Sequence, residues 1–217
     1  MKVVMWQPPF FGAAYLGARV RDADLFILSG TDQFTARCKD FHGVMQRTGQ
    51  AHTTIADGDL TLPVSGSLLP IDKTGVAIDS KWIAKTMRRM DYLYKTEAWR
   101  SNRDEVEWLM YLTKDKGLGV FNSTLCIWAL RTLGVQTNIT FDYLTASRGE
   151  SASDTILKLA INSGADEYIT GETGKTYLNL EAFAEAGVKV SVQNWTPPSN
   201  VNGRASMLHL IASGISL

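Results

Sequence analysis

Four carboxylates fall close to segments of strand character: Asp24, Asp32, Asp142 and Glu172. Asp32 and Glu172 follow their strands on the side where a parallel sheet opens, so they are the better placed to take a proton from a nucleophile or to orient a ligand. The competing reading is turn chemistry, since Asp in a loop often accepts a hydrogen bond from its own backbone. A second group of interest is Gly171-Glu172-Thr173-Gly174-Lys175-Thr176, directly after a strand. A nucleotide-phosphate loop would need its first glycine at position 169, which is Ile, so the spacing fails. A glycine turn with Lys175 beside it can still hold one anionic group through backbone N–H donors, against the plainer expectation of positive φ at Gly171 and Gly174.

The three histidines show no shared spacing for a metal, and Cys38 and Cys126 lie far apart with no paired-ligand motif, so no metal site is expected. His42 and His52 sit in an irregular stretch. His209 lies in the last helix, where the pair Ser206 and His209 is a chance i, i+3 spacing rather than a catalytic arrangement. Of the six tryptophans, Trp82, Trp108 and Trp128 fall on helical stripes and read as core, whereas Trp6, Trp99 and Trp195 fall near element ends and could line a cleft.

Elements that alternate along the chain must position these groups. Lys2 to Trp6 is an apolar strand stopped by Gln7-Pro8-Pro9, Phe11 to Val20 is helical in spacing, and Asp24 to Ser29 is a second strand. Residues 34–58 read as loop with one hairpin, and Leu60 to Val64 and Val76 to Asp79 as short strands. Three helices follow: Ser80 to Tyr94 with Ser80 as N-cap, Glu105 to Tyr111, and Phe121 to Leu133 closed by Gly134. The last third reads as strand 135–141, helix 153–163, strand 167–170, helix 178–186, strand 188–192 and a final helix 205–212. The expectation is an α/β fold, a mostly parallel sheet of βαβ units in one domain over 1–217, with a helical insertion at about 80–133.

The 217 residues carry 22 Lys+Arg against 22 Asp+Glu and are 45% hydrophobic. A chain of this size buries roughly 70% of its unfolded surface. This composition excludes a disordered charged tail, a disulfide-stapled mini-protein and a basic nucleic-acid coat. No apolar stretch reaches the ~20 residues of a membrane helix. The cytosol is the expected compartment and a small molecule the expected partner, with nucleic acid disfavoured because Arg88-Arg89 with Lys85 is the only compact basic cluster in a helix.

Taken in order, these residues resemble the WbqC-like protein family. The resemblance rests on Gln7-Pro8 and the aromatic helix Phe10 to Leu16, Ala23 to Ile27, Gln33-Phe34, Leu60 to Val64 and Trp82 with Tyr92 and Tyr94. It resumes at Asn122, Leu133-Gly134-Val135, Gly164 to Gly171, Gly174, Tyr177-Leu178, Gly187-Val188 and Val192-Gln193. The chain departs from the family pattern at Gly30-Thr31, where an acidic pair is expected, at Phe41 to Val44, where a basic cluster is expected, and at His209. The resemblance implies a transferase of surface-polysaccharide (O-antigen) biosynthesis that moves glycine or another amino acid or acyl group onto a nucleotide-linked sugar. Candidate catalytic residues are then Asp32, Glu172 and His42. Candidate substrate-binding residues are Gln7, Tyr15, Gln33, Tyr168, Gly171, Gly174, Lys175 and Tyr177. The sequence indicates no particular cofactor. The alternatives are a group transferase acting on a hypermodified DNA base and a non-catalytic protein that binds a nucleotide sugar.

Overall fold

The computed structural model describes residues 1–34, 37–39, 45–65, 69–142 and 149–217. His42 lies outside the described residues. From the N-terminus, β1 (Lys2–Trp6) leads through α1 (Ala14–Arg21) to β2 (Leu25–Leu28). Three small antiparallel ladders follow: β3 (Arg37–Lys39) with β4 (Met45–Arg47), β5 (His52–Ile55) with β6 (Gly58–Thr61), and β7 (Val64–Ser65) with β8 (Gly75–Val76). The helices α2 (Ser80–Leu93), α3 (Glu97–Thr113) and α4 (Leu118–Thr132) come next. The chain closes with β9 (Asn138–Phe141), α5 (Ala152–Asn162), β10 (Glu167–Thr170), α6 (Glu172–Lys175), α7 (Leu180–Glu185), β11 (Lys189–Val192) and α8 (Met207–Ser213).

Five of these strands form one sheet in the order β11-β10-β1-β2-β9, and every pairing is parallel. The fold is α/β, as the alternation of strand and helix requires. Parallel strands bury both faces, which is why β1 and β2 read as unbroken apolar runs. Val4, Phe26, Leu28 and Ile169 face one core with residues of α1, α2, α3, α4 and α8. Val3, Met5, Ile27 and Tyr168 face a second core with Leu159 and Phe183 of α5 and α7. The sheet order has a functional consequence. From β1 the chain moves outward to β2 and β9, then returns to β10 on the other side of β1, so the order reverses between β1 and β10. At that reversal the connections at the carboxyl ends diverge to opposite faces and leave a crevice, the usual ligand position of an open α/β sheet.

Local chemistry moves several expected boundaries. Asp79, not Ser80, caps α2, its carboxylate accepting from the Trp82 backbone N–H at 2.8 Å. α3 starts at Glu97, eight residues before the expected 105, because Thr96 caps it by accepting from the Trp99 N–H at 3.0 Å. That extension buries Trp99, which was expected near a cleft, and rotates Trp108, expected in the core, to 59% exposure. Two ladders, not one, fall within 37–61. Ser206 proves to be the cap of α8, accepting from the His209 N–H at 3.1 Å.

His209 is also tied down by its ring. The Tyr94 hydroxyl accepts from the Ala56 N–H at 3.0 Å and shares a hydrogen bond of 2.7 Å with His209 Nδ1. Burial, which disfavours the charged ring, holds the His209 pKa below the ordinary 6.5. Between the folded value and 6.5 the unfolded chain takes up the proton first. The contribution is therefore complete above pH 6.5 and lost as pH falls through the folded value. Thermal melts from pH 7.5 to 5 should show a steeper fall in Tm for the wild type than for His209→Gln.

Candidate active site

Loops from three strands meet at the carboxyl edge of the sheet. The β1–α1 loop opens with Gln7 and passes through Phe11 and Gly12, consecutive residues at φ 59° and 70°. A left-handed phenylalanine costs on the order of 1–2 kcal/mol, and here full burial of its ring offsets that cost. The turn is pinned from outside: the Met207 N–H donates to the Gly12 carbonyl at 2.9 Å and the Phe10 N–H to the Gly49 carbonyl at 2.8 Å. Fully buried Asn122 on α4 donates through Nδ2 to the carbonyls of Pro8 at 3.0 Å and Gln50 at 2.9 Å. The end of β1 is thereby fixed relative to the helical layer.

After β2 the chain turns through Ser29, Gly30, Thr31 and Asp32. Buried Asp142, just past β9, collects this turn. Its Oδ1 accepts from the Gly30 N–H at 3.2 Å, and its Oδ2 accepts from the Thr31 N–H at 3.3 Å, the Ser29 hydroxyl at 2.8 Å and the Thr31 hydroxyl. Asp32 sits on the solvent side of the same network, its Oδ2 contacting the Ser29 hydroxyl at 2.8 Å and Gln7 Nε2 at 3.4 Å. Ser29 has one proton for two carboxylates, so it donates to one at a time and couples them. Asp142 is buried and holds the backbone; Asp32 is half-buried.

The other wall comes from β10. Gly171 and Gly174 do not have positive φ, contrary to the expectation for a glycine turn; the segment Glu172–Lys175 winds into α6 instead. Close approach explains both glycines. A β-carbon on Gly174 would overlap the Thr170 hydroxyl oxygen at 1.9 Å, and one on Gly171 would lie 2.5 Å from Arg19 Nη2. Arg19 is a functional candidate that sequence reasoning passed over. It belongs to α1, whose side chains tilt back toward the helix N-terminus, so its guanidinium reaches the carboxyl edge. There it lies 5.3 Å from the Trp6 ring centroid and 5.7 Å from that of Tyr15. It is only 4% exposed, and its Nε and Nη1 are buried without a hydrogen-bond partner. The sole sequence signal was a charge that helical spacing puts on the same face of α1 as Leu16.

The expected site residues divide clearly. Gln7 and Asp32 come together, and Tyr15 and Gly171 flank Arg19. Tyr168 and Tyr177 lie within electrostatic range of the same guanidinium. Burial raises the pKa of Tyr168, an effect that Tyr177 reinforces and that Thr170 and Arg19 oppose. Desolvation likewise raises Tyr177, with Arg19 opposing and Asp32 reinforcing. Glu172 and Lys175 are exposed on α6, and Gln33 is exposed beside the Pro70 bridge. Burial pushes the Cys126 thiol up to about 12, so it offers no thiolate. Among the described residues no three of His, Cys, Asp and Glu converge on a metal position, and no helix is long and apolar enough to cross a membrane. A groove of about 490 Å³ lined by Leu180, Ala184 and Gly187–Val190 follows the free edge of β11, away from these groups.

An all-parallel sheet with a carboxylate on one side of its reversal point and a buried cation on the other defines an open α/β protein with a switch-point crevice. Residues 7–202 match the WbqC-like protein family, and the chain belongs to that family. No match was found among curated proteins or among solved structures.

Proposed function

We propose that this chain is a group transferase that moves glycine, or another amino acid or acyl group, from an activated donor onto an amine or hydroxyl of a nucleotide-linked sugar. The observation that carries the reading is Asp32, a half-buried carboxylate at the carboxyl edge of the sheet, held by Ser29 and Gln7 on groups from two adjacent strand ends. In the transfer, the acceptor nitrogen or oxygen forms a bond to the acyl carbon. The bond from that carbon to its leaving group breaks, and the leaving group departs with its electron pair. Asp32 takes the proton that the acceptor loses. The Gln7 amide and the Ser29 hydroxyl orient the carboxylate, and Asp142 fixes the turn that carries it. Membership of the WbqC-like family supports the substrate classes named.

The nucleic-acid alternative loses one member of the basic cluster of α2, because Arg89 is engaged with Asp57 at 2.5 Å and with the Asp59 carbonyl at 3.1 Å. The test is incubation of the purified protein with activated glycine and a panel of amino-sugar nucleotides, read by mass spectrometry. A sugar nucleotide heavier by one glycyl residue is the expected product. No adduct across the panel, or an adduct that forms at the same rate without protein, overturns the reading.

A further inference from the structure

Arg19 is a charge that the fold buries and leaves unsatisfied. Its guanidinium packs beside the rings of both Trp6 and Tyr15 and ends against Gly171 with Nε and Nη1 unpartnered. No ion pair links it to a carboxylate among the described residues, although the chain as a whole has as many acidic as basic side chains. The aromatic faces satisfy the cation's carbon and its charge in part but accept none of its N–H donors. Burying an unpaired ion is costly, and a fold tolerates it where a counter-charge arrives from outside.

We propose that the Arg19 guanidinium is the oxyanion receptor of the switch-point crevice, binding a carboxylate or phosphate group of the ligand between Trp6, Tyr15 and Gly171. The planar guanidinium matches either oxyanion through paired N–H donors. Gly171 keeps the approach open, since any side chain there would begin 2.5 Å from Nη2. The assignment concerns binding alone and stands apart from the transfer proposed above.

The test is a thermal-shift and calorimetric titration of the full chain with pyrophosphate and uridine diphosphate in one arm, and acetate and glycine in the other, at matched ionic strength. Saturable stabilisation in either arm is expected, and the arm that responds identifies the oxyanion as phosphate or carboxylate. Arg19→Met should lose roughly ten- to a hundred-fold in affinity, the range of a charge-assisted hydrogen bond. Met fills a similar apolar volume without a charge to desolvate, so the unliganded variant should melt at or above the wild type. Gly171→Ala, which narrows the approach but keeps the cation, should also weaken binding, and it decides the matter if Arg19→Met fails to fold. The proposal is overturned if neither arm shows saturable binding, or if Arg19→Met and Gly171→Ala both bind as the wild type does. Binding that depends on Arg19 with no transfer product would retain this site and remove the transferase reading.

Discussion

Asp32→Asn should lower the rate of transfer by about a hundred- to ten-thousand-fold, the usual contribution of a positioned general base, while the melting temperature stays near that of the wild type. The reason lies in how asparagine can meet the contacts that Asp32 makes with Ser29 and Gln7. Ser29 and Gln7 both reach the same oxygen of Asp32, and an asparagine can turn its carbonyl to that position. What the amide cannot do is take a proton from the acceptor. A variant that keeps full turnover would remove Asp32 from the mechanism; one that loses turnover together with several degrees of stability would make it a structural residue. Measuring initial rates and thermal melts on the same preparation separates these cases.

Asp142 should behave in the opposite way. Both of its oxygens accept from backbone N–H groups, Gly30 on one and Thr31 on the other, with two hydroxyls added on the second. Asparagine must therefore aim an NH₂ group at a backbone N–H whichever way it is turned. Asp142→Ala leaves the same buried donors without an acceptor. Either change should cost about 3–4 kcal/mol, combining the loss of charge-assisted bonds with the desolvation of orphaned donors. Urea unfolding should show a lower midpoint with an unchanged slope, which marks lost stability rather than a changed unfolded state. Activity should fall too, but Asp32→Asn is expected to lose turnover without the shift in midpoint, and that contrast assigns the two carboxylates to different tasks.

The sequence made the strands of the main sheet legible because parallel strands are apolar on both faces. Glu167 to Thr170 matches its strand residue for residue, and the β1 run to Trp6 ends where Pro8-Pro9 forbids further pairing. The start of α3 was harder to read, since Glu97 to Arg103 is a polar stretch whose only apolar anchor is Trp99; recognising Thr96 as a cap was the missing step. The strand order could not be read at all. That β10 returns to β1 and not to β9 depends on which faces pack together, and no local pattern records it. The site followed suit. Gln7, Asp32 and Gly171 were visible because they lie at strand ends, whereas Arg19 was hidden because periodicity describes where a side chain points and not whether its charge finds a partner. Gly171 and Gly174 were noticed for the wrong reason: their value is the space they leave for Arg19 and Thr170, not backbone freedom.

The place of β1 in the sheet also bears on how the protein is made. One edge of β1 is covered early by β2, but the other pairs with β10, more than 160 residues later in the chain. At about 5–20 residues per second, a ribosome needs on the order of ten to thirty seconds to reach that partner. For that interval the nascent chain carries an apolar strand with an open edge, the type of surface that recruits other strands. Truncations ending before residue 167 should therefore aggregate during synthesis rather than accumulate as folded fragments.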